Sequence, residues 1–197
     1  PSSLLPPPNT NHQPPTTTTL VTGLSEDGYE IQFATNHLGH FLFTNLLTTQ
    51  LKAAAPSRVV VVSSAAHYIP EFADKAAGFL PDYLPASLNY ASVSDVDSSS
   101  ETSYSAWPAY GRSKLANVLF ANELSARLAG TGVTVNSCHP GGIKTNLARH
   151  VEKDGSPWIS DTVMPQIMMT PQQGAVTSLY LATSAEIDTQ GINGAYY

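Results

Sequence analysis

Arg58-Val59-Val60-Val61-Val62-Ser63-Ser64 is the stretch on which the fold turns. Four consecutive β-branched residues behind a single charge form a short unbroken apolar run. That pattern is expected of a strand inside a parallel sheet covered on both faces, whereas a half-solvated strand alternates polar and apolar positions. Upstream, from Gly28 to about Ala54, residues Ile31, Ala34, Leu38, Leu42, Leu46 and Leu47 recur at helical spacing as one apolar stripe. Asp27 is the expected cap of this helix, and Pro56 ends it. Downstream, Tyr110 to Leu128 is rich in Ala and Leu and is stopped by Gly130 and Gly132. Val133-Thr134-Val135-Asn136-Ser137-Cys138 reads as the next strand, broken by Pro140 and Gly141. Thr170-Pro171-Gln172-Gln173 then opens a helix to about Thr183, with Thr170 as cap, Pro171 at the first helical position and Gln173 placed to complete a capping box. Alternating strands and helices predict an α/β fold of right-handed crossover units in a doubly wound parallel sheet, with ligands at the carboxyl ends of its strands.

Composition narrows the partners. A chain of 197 residues is long enough for one full core. Charged residues are sparse, at 12%, and a formal charge of −6 with a pI near 5.4 argues against a nucleic-acid or anionic-membrane surface. Small neutral molecules are the expected partners. The single cysteine, Cys138, excludes an internal disulfide framework, so a reducing, cytoplasmic setting is expected. No apolar run reaches the ~18 residues of a membrane span, and the first residues lack the basic flank of a signal peptide.

Residues 1–26 read as a flexible leader, because Pro1 to Thr19 holds six prolines and a run of four threonines without hydrophobic periodicity. Residues 27–197 are expected to form the folded part, with a long insertion at 65–108. That insertion carries Pro70, Pro81 and Pro85, scattered aromatics and an acidic, serine-rich run from Ser94 to Glu101, and reads as a flap with a solvated tip. Gly23 and Gly28 stand in a loop. Since Gly39 is the next glycine, no G-x-G-x-x-G is formed there or elsewhere.

The chemistry concentrates in Tyr110-Gly111-Arg112-Ser113-Lys114. Positions four apart share a helix face, which puts the phenol of Tyr110 beside the ammonium of Lys114. A neighbouring positive charge favours phenolate, and moving a phenol from its usual pKa of ~10 to ~7 takes roughly 4 kcal/mol. Tyr110 with its pKa lowered by Lys114 is thus the expected general acid or base. Other chemistries lack their patterns. His37 and His40 stand three apart, and His67 and His139 follow strand ends, but no cysteine cluster or His-Glu-x-x-His accompanies them, so no metal site is expected. Ser63, Ser64 and His67 lack the Gly-x-Ser-x-Gly elbow of a hydrolase.

Four segments, in order, carry a family resemblance: Asn36-His37-Leu38-Gly39-His40-Phe41, Val60-Val61-Val62-Ser63-Ser64-Ala65-Ala66-His67, Tyr110 to Lys114, and His139-Pro140-Gly141-Gly142-Ile143-Lys144-Thr145. From about Asp27 onward the chain resembles the short-chain dehydrogenase/reductase superfamily, in its retinol-dehydrogenase-like branch. The resemblance implies a tetrad of Asn36, Ser64, Tyr110 and Lys114 and an NAD(P) cofactor. In it Ser64 would hydrogen-bond the substrate oxygen, and Tyr110 would exchange a proton as hydride moves to or from nicotinamide. Lys114 would lower the Tyr110 pKa and hold ribose hydroxyls. Asn36 would hold, through its backbone carbonyl, a water of a proton relay. Pro140, Gly141 and Thr145 would line the nicotinamide, making Tyr110, Lys114, Pro140, Gly141 and Thr145 the implied cofactor contacts. Met164, Met168 and Met169 fall where the family keeps a mobile substrate-binding stretch, which suits an apolar alcohol, aldehyde or ketone.

Two family segments have no counterpart: the Thr-Gly-x-x-x-Gly-x-Gly turn after the first strand and a later Asn-Asn-Ala-Gly. The resemblance therefore implies an incomplete Rossmann-like sheet that lacks its first strands, and with them the residues that separate NAD from NADP. A second reading follows, a non-catalytic remnant that only binds a partner. For either reading, the two long helices are the expected homodimer surface.

Overall fold

The computed structural model describes residues 23–68, 106–143 and 168–197. The leader's first 22 residues, most of the 65–108 insertion, Lys144, Thr145 and Met164 lie outside the described residues.

The first helical stretch starts later than expected. Ser25 accepts from Gly28 N–H and donates to Tyr29 O, which closes a tight turn over residues 25–29 and keeps Asp27 out of the helix. Glu30 caps instead, its carboxylate accepting from the N–H groups of Gln32 and Phe33. Three segments then run end to end: α1 (Ile31–Phe33), a π-turn (Ala34–Leu38) and α2 (Gly39–Ala53). In the π-turn Gly39 N–H reaches back five residues to Ala34 O, so one extra residue is accommodated there.

Two strands, β1 (Ser57–Val62) and β2 (Val133–Cys138), pair in parallel with Ser57 opposite Val133 and Val62 opposite Cys138. A 3₁₀ turn (Ala65–Tyr68) follows β1, and the long helix α3 (Ala106–Arg127) precedes β2. After β2 come α4 (Pro171–Thr183) and α5 (Ala185–Thr189). The capping box at Thr170 and Gln173 forms as the sequence predicts. Residues 194–197 lie along the far side of β2, with Ser137 N–H donating to Ala195 O at 2.9 Å and Tyr197 N–H to Ser137 O at 3.0 Å.

Side chains alternate across the two strands, and each face has its own helices. Val59, Val61, Val133 and Val135 pack with Ala121 and Leu124 of α3 and with Leu128 just past its end. On the opposite face Val60 and Cys138 pack with Leu181 of α4 and Ile187 of α5. Helices on both faces of a parallel pair make this a doubly wound α/β arrangement, incomplete in that β1 has a strand neighbour on one edge only among the described residues. The apolar stripe of α2 is not a buried face. No residue of α2 is buried, and Leu42 and Leu46 are 59% and 68% exposed. A groove of about 370 Å³ runs instead between α2 and the open side of β1, with Phe43, Leu47, Val60 and Phe120 among its walls. Among the described residues no helix is long and apolar enough to cross a membrane.

Candidate active site

Ser63 and Ser64 leave the end of β1 with different tasks. Ser63 is buried, donates its N–H to Cys138 O at 2.7 Å and its hydroxyl to Lys114 O at 2.7 Å, and so fastens β1 to β2 and to α3. Ser64 is only partly buried. Its hydroxyl accepts from Ala66 N–H at 3.2 Å and is a hydrogen-bond partner of the Tyr110 phenol. The two hydroxyls expected to act on one oxygen are therefore brought together from segments 46 residues apart.

Tyr110 and Lys114 stand one turn apart on α3, with the ammonium 5.6 Å from the phenol ring centre. Their electrostatics differ from the sequence-based expectation. Burial pushes the Tyr110 phenol above its ordinary value, with the Ser64 hydrogen bond pulling the other way. Burial likewise holds Lys114 below its ordinary value. Desolvation thus outweighs the Ser64 hydrogen bond, and the Tyr110 phenol is held protonated rather than poised as a phenolate. Lys114 donates to Val62 O over a long 3.4 Å. A desolvated ammonium has three donors, so a ligand offering adjacent hydroxyls suits it.

Asn36 sits in the π-turn and joins the group by its side chain. Its amide donates to Ser113 Oγ at 3.0 Å, and Ser113, fully buried, donates to Tyr110 O at 2.7 Å. The amide of Asn36 therefore braces the backbone of Tyr110. Its carbonyl already has two partners, Asn117 Nδ2 at 3.1 Å and His40 Nδ1 at 3.0 Å. A carbonyl has two lone pairs, so a relay water at this atom would have to displace one of these partners.

At the end of β2, Gly141 takes φ +84° and donates its N–H to His139 Nδ1 at 3.1 Å. A Cβ on Gly141 would meet the terminal methyl of Met169, which is free to shift, so it is the left-handed backbone that calls for glycine here. Pro140 and Gly141 thus follow the carboxyl end of β2, as Ser63 and Ser64 follow that of its parallel neighbour β1, while Thr145 lies outside the described residues. Tyr196 meets the histidines that follow the two strands, its hydroxyl 3.2 Å from His67 Nδ1 and its ring 6.0 Å from that of His139. Burial, chiefly, pushes Tyr196 up to about 12. No group of three metal-ligating side chains occurs among the described residues. The sequence named Ser113 within its key segment without giving it a role and did not single out Asn117; their signal is weak, since a small polar residue in an Ala- and Leu-rich helix usually faces solvent.

A sequence profile of the short chain dehydrogenase family matches residues 92–156. Retinol dehydrogenase 14 of Homo sapiens is 44% identical over 180 residues, covering 88% of this chain and 45% of its own length. The WW domain-containing oxidoreductase of Gallus gallus is 39% identical over 178 residues, covering 88% of this chain and 38% of its own. The chain spans about half the length of the curated relatives it matches. Among solved structures, an uncharacterized protein from Mycobacterium Paratuberculosis superposes with a TM-score of 0.56 at 31% identity, covering 91% of this chain and 50% of that one. An aldohexose dehydrogenase from Thermoplasma acidophilum has the same fold, with a TM-score of 0.55 at 16% identity, covering 88% of this chain and 58% of that one. Over the part it spans, the chain has the sequence and fold of the short-chain dehydrogenase/reductase superfamily, in its retinol-dehydrogenase-like branch.

Proposed function

We propose that this chain carries the proton-transfer half of an NAD(P)-dependent oxidoreductase site acting on a small apolar alcohol, aldehyde or ketone. The observation that carries this reading is the meeting of the Ser64 and Tyr110 hydroxyls beside a desolvated Lys114. The donor set fits the cofactor, because Lys114 is poorly hydrated, weakly bonded at Val62 O and suited to a pair of ribose hydroxyls. When bound, nicotinamide supplies or accepts the hydride. Ser64 holds the substrate oxygen. Tyr110 gives that oxygen its proton in reduction and takes the proton back in oxidation. Lys114, once its neighbours are ligand hydroxyls, stabilises the phenolate that forms, and Asn36 keeps the Tyr110 backbone in place through Ser113. Met169, packed over Gly141, offers a soft apolar wall to the substrate.

The test is Tyr110→Phe in the 197-residue chain, with reduced cofactor and an apolar aldehyde. Removing the proton donor while keeping the ring is expected to lower turnover by about 10² or more, with cofactor binding retained in calorimetric titration. Undiminished turnover in the variant, or no cofactor binding by the parent chain, would count against the proposal.

A further inference from the structure

Asn117 lies three residues beyond Lys114 on α3 and is 3% exposed. Its Nδ2 donates to Asn36 O at 3.1 Å and to Val62 O at 3.3 Å, while its Oδ1 lies 3.0 Å from His37 Nδ1. Two carbonyl oxygens facing one amide end leave no alternative orientation, because a flipped amide would set oxygen against oxygen. His37 must then carry its proton on Nδ1 and donate it to Oδ1. One side chain thereby ties the π-turn, the end of β1 and α3 together. Val62 O, which it binds, is also the acceptor of the Lys114 ammonium.

We infer that Asn117 is a positioning residue for Lys114 and Asn36, occupying one lone pair on each of two carbonyls and so fixing where the ammonium rests and how the π-turn meets α3. The inference rests on the proposed roles of Lys114 and Tyr110. A side chain that merely satisfied buried carbonyls would be replaceable by water with no effect on Lys114. A positioning side chain is not replaceable in this way. Without it, Val62 O is left to the ammonium alone and water enters beside it, which favours the charged form of Lys114 that burial now disfavours.

The experiment follows the pH titration of the Lys114 side chain by NMR on isotopically labelled chain. It compares the parent with Asn117→Ala, with Asn117→Ser, which keeps one donor, and with Leu128→Ala, a core substitution at the far end of the helix. Asn117→Ala is expected to raise the Lys114 midpoint by about half a pH unit or more, Asn117→Ser by less, and Leu128→Ala not at all. In the parent the His37 ring nitrogens are expected to report the Nδ1–H tautomer, which Asn117→Ala loses. A midpoint unmoved in both Asn117 variants overturns the inference, as does an equal movement in Leu128→Ala, which would mark mere loosening. Turnover of Tyr110→Phe measured alongside separates the failures. If that variant stays active, the proposed function falls whatever Lys114 does. If it is inactive while Asn117→Ala keeps the parental kcat and Lys114 midpoint, only the role of Asn117 falls.

Discussion

β1 and β2 reverse the usual relation between composition and burial. β1 is the more apolar, with four consecutive valines, yet its residues are only partly buried and Val62 is 45% exposed. β2 contains Thr134, Asn136 and Ser137, yet all of it but Thr134 is buried. The difference is lateral. Helices cover both faces of the pair, but β2 lies between β1 and residues 194–197, whereas the other side of β1 opens on the groove against α2. Burial in a sheet is set by neighbours on both edges as well as both faces, and a polar residue can be held deep inside when those neighbours satisfy it. Asn136 does this, donating to Ile192 O at 3.1 Å and accepting from Ala195 N–H at 2.9 Å.

The sharpest way to break this contrast is Asn136→Leu. It adds apolar surface to a buried site but strands two backbone groups, each costing about 1–3 kcal/mol when left unpaired. Denaturant unfolding is expected to show a loss of roughly 2–5 kcal/mol; a neutral or stabilising result would mean that residues 194–197 do not seal β2. A smaller effect should come from pH. Tyr196, beside β2, is pushed from 10.0 to about 12, so its folded form keeps a proton that the unfolded chain loses near 10.0. Stability from this residue is complete below pH 10 and is lost as pH climbs from about 10 to about 12. Tyr196→Phe should flatten that alkaline decline in thermal melts taken across the window, and an unchanged slope would count against it. The smallest effect belongs to β1. Val62→Thr, half exposed at the groove, should change stability by no more than about 0.5 kcal/mol. A loss several times larger, read in the same unfolding experiment, would show that the open side of β1 is covered in solution.

The sequence disclosed what depends on near neighbours along the chain. Thr170, Pro171 and Gln173 specify a cap within four residues, and that cap forms as expected. β2 carries the expected bounds, and Gly130 and Gly132 take the positive φ that ends α3. What depends on distant partners stayed hidden. The Leu42 and Leu46 stripe has the period of a buried face, but period cannot say whether anything lies opposite it. Asp27 lost the capping role to Glu30 because backbone bonds between Ser25, Gly28 and Tyr29 close a turn first. Ser63 and Ser64 are indistinguishable as residue types, and only the family resemblance chose the second. The spacing of Tyr110 and Lys114 predicted their shared face correctly, while the direction of the Tyr110 shift depended on burial that no spacing reveals.

The π-turn at Ala34–Leu38 gives the helix one residue more than an unbroken α-helix between the same two ends would hold. An α-helix advances about 100° per residue, and the widened turn absorbs that extra rotation locally, so α2 keeps its phase and Phe41 sets its ring 5.3 Å from that of Phe120. Loss of one residue here would restore a regular helix with α2 facing as before, and the cost would fall on what the bulge itself presents, the Asn36 carbonyl with its bonds from Asn117 and His40. A single-residue gap in this stretch should therefore spare the fold and disturb the site.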